Sequence, residues 1–307
     1  MNLENLLRET LTDMADEERP PAPDRFLRVR ERRSRGRGLA LVAASAVAAI
    51  AIGAAVVVHG PSSRAPGDVA GPPTALSRPD VRVTVAAGTR LSRLFAELSS
   101  RTGRPVAEFE RAAADGAALG LPSYAGGKLE GFAFPGVYEF SPTAGPDEIL
   151  RTMLTRFAAA AEDTGLVAGA RRAGRTPLEV LTIASIVQAE AGRAEDMPKI
   201  ARVIHNRLNR KMRLQIDSTV RYGLGEQATG TLRARDLKSP SPYNTYQRVG
   251  LPPGPIGNPG EDAIRAALRP AAGPWLYYVT TDPANGITKF AATEAEFAEL
   301  VDEQRGE

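Results

Sequence analysis

Between Thr176 and Gly192 the chain has almost no polar face. Thr176 suits an N-cap, Pro177 the first helical position, and Glu179 the reciprocal position of a capping box. Leu178, Leu181, Ile183, Ala184, Ile186 and Val187 then recur around the helix rather than along one stripe. Such a helix must be surrounded, so it is expected at the centre of a domain, with Gly192 as its stop. Glu190 sits at its C-terminal end, on the face of Val187, Ile186 and Ile183. That is an awkward place for an ionised carboxylate. Desolvation raises its pKa, and the negative end of the helix dipole raises it further. A carboxyl that keeps its proton near neutral pH is what general-acid cleavage of a glycosidic bond requires. Spacing alone leaves a second reading open, in which Glu190 pairs at the surface with Arg193 or Arg202.

Composition narrows the chemistry. There is no cysteine, which excludes disulfides, zinc-thiolate sites and thiol catalysis. His59 and His205 are the only histidines, so no multi-histidine metal centre is expected and no cofactor is implied. The net charge of +3 is too small to argue for nucleic acid. The arginines between Arg25 and Arg37 form no pattern of interleaved aromatics that would stack on bases. Carboxylates, hydroxyls and amides remain.

Those arginines have another reading. They lie immediately before Leu39–Val58, an uncharged stretch rich in Ala, Val and Ile. At ~1.5 Å per residue this stretch spans ~30 Å, the thickness of a bilayer's hydrocarbon core. Basic residues stay on the cytosolic side, which predicts a single-pass protein of the cell membrane with its N-terminus inside and the rest outside. Residues 1–18, with Leu3, Leu6, Leu7, Leu11 and Met14 at helical spacing, read as a docking helix or as a frayed tail.

The expected organisation is a cytosolic tail over 1–38, a transmembrane helix over 39–58 and a Pro/Gly/Ser linker over 59–80. Two folded parts of an α+β chain follow. Val81, Val83 and Val85 alternate as a strand, Gly88-Thr89 turns the chain, and helices are expected from Leu91 and over 106–114. Strand, turn, helix, helix within 81–125 resembles a LysM-like subdomain, a small fold often used on N-acetylglucosamine polymers; a plain structural subdomain reads equally well. Residues 126–307 are expected to form a larger mixed α+β catalytic domain. It should contain a helix over 147–163, a strand over 275–280 and a last helix capped by Thr293 and Glu296.

Six ordered blocks carry a wider resemblance: residues 129–135 (LEGFAFP), 184–190 (ASIVQAE), 205–208 (HNRL), 212–225 (MRLQIDSTVRYGLG), 241–246 (SPYNTY) and 250–260 (GLPPGPIGNPG). They resemble the YceG-like family, which contains endolytic peptidoglycan transglycosylases, also described as terminases of nascent glycan strands. The resemblance runs from about residue 81 to 300. It implies that Glu190 is the catalytic glutamate of a lyase acting on peptidoglycan glycan strands near their synthases. That glutamate would protonate the bridging oxygen and then help the muramyl 6-hydroxyl attack the anomeric carbon, leaving a 1,6-anhydromuramyl end. Two neighbours depart from the family pattern: Gln188 stands where members often carry a second glutamate, and Ala191 where they carry threonine.

Other residues in matching blocks are candidates for the glycan cleft. Asn206, Gln215, Asp217 and Asn244 are expected to bond hydroxyls or N-acetyl groups, or else to scaffold turns. Tyr243, with Tyr246, would stack on sugar faces or fill the core. Glu130 and Gln188 would support the site, and Arg207 is expected to fix a carboxylate. Asn258 and the glycines of 252–260 are expected to shape the backbone. A hydrolase would need a second carboxylate, for which Asp217 is the candidate. Two alternatives to the lyase therefore stand: a muramidase and a non-catalytic glycan-binding scaffold.

Overall fold

The computed structural model describes residues 80–225 and 232–306. The expected tail, the apolar segment 39–58 and nearly all of the linker lie outside the described residues. No described helix is long and apolar enough to cross a membrane.

The described chain is α+β, as its alternating and helical periods predict. Strand β1 (Val81–Val85) runs antiparallel to β2 (Gly136–Phe140), with Val83 opposite Tyr138. Period two places Val83, Val85, Tyr138 and Phe140 in the core, while Arg82, Thr84, Val137 and Glu139 are exposed. Between the strands lie helices α1 (Leu91–Thr102) and α2 (Val106–Ala114). The strand that pairs with β1 lies beyond residue 125, and Leu98 and Phe109 share one hydrophobic core with the later helices. Next come α3 (Pro146–Thr164) and α4 (Leu166–Arg172). Proline at its first turn with Asp147 and Glu148, and left-handed Gly165 at its end, explain where α3 starts and stops.

Helix α5 (Pro177–Glu190) is the axis of the domain. Every residue from Val180 to Val187 is buried, and α4, α6 (Met197–Asn209), α7 (Asp217–Leu224) and α8 (Glu261–Leu268) pack around it. Its capping box forms as expected: Thr176 Oγ1 accepts from Glu179 N at 3.2 Å, and Glu179 returns the bond to Thr176 N at 2.7 Å. Two hydroxyls inside this apolar rod satisfy themselves on its backbone, Thr182 on Leu178 O and Ser185 on Thr182 O, each at 2.8 Å. Ser185 also accepts from Ile256 N at 3.0 Å, which fastens the loop 252–260 to the helix.

The end of α5 differs from expectation. The helix stops at Ala191 in an extended conformation, and Gly192 has no left-handed φ. Glycine suits the position for another reason: a Cβ at 192 would crowd the Gly286 backbone at 3.2–3.3 Å. Gly286 belongs to the turn between β3 (Tyr277–Asp282) and β4 (Ile287–Ala291), an antiparallel hairpin placed against the end of α5. Helix α9 (Glu294–Arg305), capped by Thr293 and Glu296, packs on that hairpin.

Candidate active site

Glu190 lies where three elements meet: the last turn of α5, the first turn of α7 and strand β3. Tyr278 Oη donates to its Oε2 at 3.0 Å. The Ser218 N–H, one of the free donors at the start of α7, also points to the carboxyl, and the Ser218 hydroxyl lies beside it. Burial pushes the carboxyl above its usual range; the Ser218 and Tyr278 donors pull it back, and the charge of Asp217 pushes it up again. The dipole of α5 is thus not the whole electrostatic account, because the positive end of α7 faces the same group. Surface pairing with arginine does not occur: Arg193 pairs with Glu195 at 2.8 Å, and Arg202 donates to the carbonyls of Ala271 and Pro270.

Around this acid the loops are tightly held. Asp217 accepts from Tyr246 Oη at 2.7 Å. Gln215 adopts a left-handed φ of 52°, a strained conformation for a residue with a side chain, and its N–H donates to Thr245 O at 3.1 Å. Arg207 is buried, and the expectation that it fixes a carboxylate is corrected. Its donors go to Leu276 O at 2.6 Å, Leu214 O at 2.8 Å, Arg213 O at 3.3 Å and Gln215 Oε1 at 3.4 Å. Its guanidinium also lies 5.1 Å from the Tyr277 ring centre. A cation placed there ties the segment before α7 to the start of β3, the two elements that present Ser218 and Tyr278 to Glu190.

Glu130 forms a separate cluster. Its carboxyl accepts from Leu91 N in the first turn of α1 at 3.2 and 3.4 Å, and from Tyr222 Oη of α7 at 3.1 Å. Burial pushes it up to about 7, against the opposing hydrogen bonds and the charge of Arg90. Tyr243 packs on Tyr222 with ring centres 4.6 Å apart, and the Arg90 guanidinium lies 5.2 Å from the Tyr222 ring centre.

The remaining candidates turn inward. Asn244 is fully buried, and its amide is used within its own loop, donating to Leu237 O and Ser239 O and accepting from Tyr246 N. It holds that loop in shape and offers no free group to a glycan. Asn206 likewise donates to Gly273 O at 3.1 Å and Trp275 O at 2.8 Å. Gln188 accepts from Gly260 N at 3.1 Å, away from the Glu190 cluster. Asn258 is buried and stitches three loops, donating to Thr89 O and accepting from Ala133 N. Beside it Gly257 has no alternative, since a Cβ would lie 2.6 Å from Gly88 O. His205 Nε2 sits 3.0 Å from Ala267 O in the core, and burial lowers its pKa. Among the described residues no group of acidic and histidine side chains is arranged to hold a metal.

Sequence reasoning missed Tyr278, Ser218 and Tyr222. Tyr278 was legible only as a strand former beside Tyr277, and strand register decides which ring reaches Glu190. The motif block around Ser218 was visible, but not the N-terminal turn that aims it.

The model of the YceG-like family matches residues 71–303, well over half of the chain. The chain belongs to the YceG-like family. An endolytic murein transglycosylase of Bacillus subtilis is 37% identical over 166 residues, covering 54% of this chain and 45% of that protein. One of Streptococcus pneumoniae is 34% identical over 171 residues, covering 53% of this chain and 30% of that protein. The match thus spans less than half the length of either relative. The crystal structure of a yceG-like protein from Listeria monocytogenes superposes with a TM-score of 0.64 at 27% identity, over 73% of this chain and 76% of that one.

Proposed function

We propose that this YceG-like chain is a peptidoglycan lytic transglycosylase with Glu190 as its acid and base. One observation carries the reading: a carboxyl pushed up by burial, at the end of the central helix, held by neutral donors from two other elements. Burial favours the protonated form of such a group before a glycan is cleaved, and the donors around it tolerate ionisation once its proton has gone. The endolytic murein transglycosylases matched by this chain supply the substrate class.

The reaction divides into two proton movements. Glu190 gives its proton to the oxygen bridging N-acetylmuramic acid and N-acetylglucosamine as the C1–O bond breaks. The resulting carboxylate takes the proton of the muramyl 6-hydroxyl while O6 bonds to C1. Glu190 is restored, no water enters, and the strand ends in 1,6-anhydromuramic acid. Tyr278 and the Ser218 N–H hold the carboxyl through both steps. Asp217 and Gln215 shape the adjoining wall, while Asn206, Asn244 and Gln188 act by fixing loops. Residues 81–125 with β2 would serve as a LysM-like glycan-contacting part. The apolar stretch 39–58 would anchor the chain so that this chemistry occurs at the outer face of the cell membrane, beside glycan synthases.

The muramidase alternative draws on Asp217, whose charge acts on Glu190. Its carboxylate already accepts the Tyr246 hydroxyl, which favours the single-acid route. Mass spectrometry of peptidoglycan digested with the purified chain separates the readings. The lyase gives chain ends lighter by one water than reducing ends. Reducing ends would establish a hydrolase, and an undigested polymer would leave only a binding role.

A further inference from the structure

We propose that Ser218 is a positioning residue for Glu190, its hydroxyl kept in reserve for the carboxylate that exists only between the two proton movements. The inference rests on the acid/base reading of Glu190 given above.

Geometry carries it. The Ser218 hydroxyl oxygen is buried and makes no hydrogen bond of regular geometry, although it lies close enough to the Glu190 carboxyl to pull its pKa down. Nearby hydroxyls behave differently: Thr219 bonds Ile216 O at 2.6 Å and Thr245 Oγ1 at 2.8 Å, and Ser185 bonds Thr182 O. Among the described residues the only other buried orphan of this kind is the Thr288 hydroxyl, on β4. A buried hydroxyl without a partner is costly, so its persistence calls for a state in which it is used. Its position supplies one. Ser218 is the second residue of α7, and both its N–H and its hydroxyl lie close enough to Glu190 to lower the pKa of that carboxyl.

The other neighbours show why a further donor matters. Tyr278 of β3 donates one bond. Asp217, on the same turn of α7, repels negative charge, and Tyr246 is committed to Asp217. Arg207 of α6 directs its hydrogen bonds to carbonyl groups and the Gln215 amide. The ionised form of Glu190 is therefore held by neutral donors, and each one removed destabilises it. A serine hydroxyl turns about a single bond. It can idle while Glu190 is protonated, donate after the proton passes to the bridging oxygen, and release when the 6-hydroxyl proton returns. Ser218 keeps its own proton throughout, so the balance of the reaction is unchanged.

The test uses the full chain with Ser218→Ala, Ser218→Thr and Glu190→Gln. Carbon-13 NMR follows the Glu190 carboxyl, assigned by the signal that Glu190→Gln removes, and peptidoglycan cleavage is followed against pH. Ser218→Ala is expected to raise the Glu190 midpoint by about one pH unit and to lower kcat about tenfold with KM unchanged. Ser218→Thr, which keeps the hydroxyl, restores both. A folded Ser218→Ala with the wild-type midpoint overturns the proposal. Should alanine here prevent folding, Ser218→Cys replaces it: a raised midpoint supports the proposal, and an unchanged one overturns it. If Glu190→Gln cleaves as fast as the wild type, the acid/base reading fails on its own, while the NMR titration still decides whether Ser218 holds the carboxyl.

Discussion

Glu190 and Glu130 are near-copies of one another in environment and differ in the groups that surround them. Each is a carboxyl pushed upward by burial, and each accepts a tyrosine hydroxyl, from Tyr278 and Tyr222 respectively. Helix α7 serves both, because Ser218 and Tyr222 are four residues apart and share one of its faces. The difference lies in how much bonding capacity is left. Glu130 spans the first turn of α1 and α7, has Arg90 nearby, and joins two elements as a clamp. Glu190 has a repelling aspartate and an orphan hydroxyl beside it. On the reading proposed above, a raised carboxyl with every partner fixed holds structure together, and one with a partner in reserve is free to change its charge.

The sharpest way to break this comparison is to neutralise each acid in turn. Glu190→Gln should lower peptidoglycan cleavage by ~10³-fold, with its melting temperature close to wild type. Glu130→Gln, which keeps a carbonyl acceptor, should stay within about tenfold of wild type. Equal losses in the muropeptide assay would erase the distinction. The tyrosines come next. Tyr278→Phe removes a donor to the carboxylate, so the alkaline limb of the pH–rate profile should move up by about one unit and kcat fall about tenfold. Tyr222→Phe should leave that limb in place.

Stability against pH sharpens the clamp reading. A carboxyl raised to about 7 from its usual 4.5 binds protons more tightly in the folded chain. Its contribution is therefore fully present below pH 4.5 and is lost as pH rises through 7. The loss should be on the order of 2 kcal/mol once partial exposure is allowed for. Glu130→Gln should flatten this slope in denaturant titrations between pH 5 and 8. The smallest effect is expected from Thr176→Ala, at the opposite end of α5 from Glu190. Losing the cap should cost ~1 kcal/mol of stability without moving the pH–rate limb. A shift in that limb would mean that the acid senses general loosening of its helix rather than its own donors.

How far the sequence reaches can be judged element by element. The capping boxes at Thr176 and Thr293, the alternation of Val81, Val83 and Val85, and the apolar circumference of α5 rest on neighbours within one or two turns, so they are legible from order alone. The ordered motif blocks likewise pointed to the YceG-like family without coordinates. The partners of Glu190 were not legible in this way. Tyr278 lies 88 residues away in the chain, and its ring reaches the acid because the hairpin turn at Gly286 fits against Gly192. Asn206 and Asn244 are polar residues in the right blocks, yet folding turns their amides onto backbone carbonyls. Arg207, in the same way, holds carbonyls where a carboxylate was expected. Local periodicity and capping are decided by short-range sterics and hydrogen bonds, and the chain writes these in its own order. Which donor reaches which carboxyl is decided by packing between distant segments, and only the tertiary structure brings those segments together.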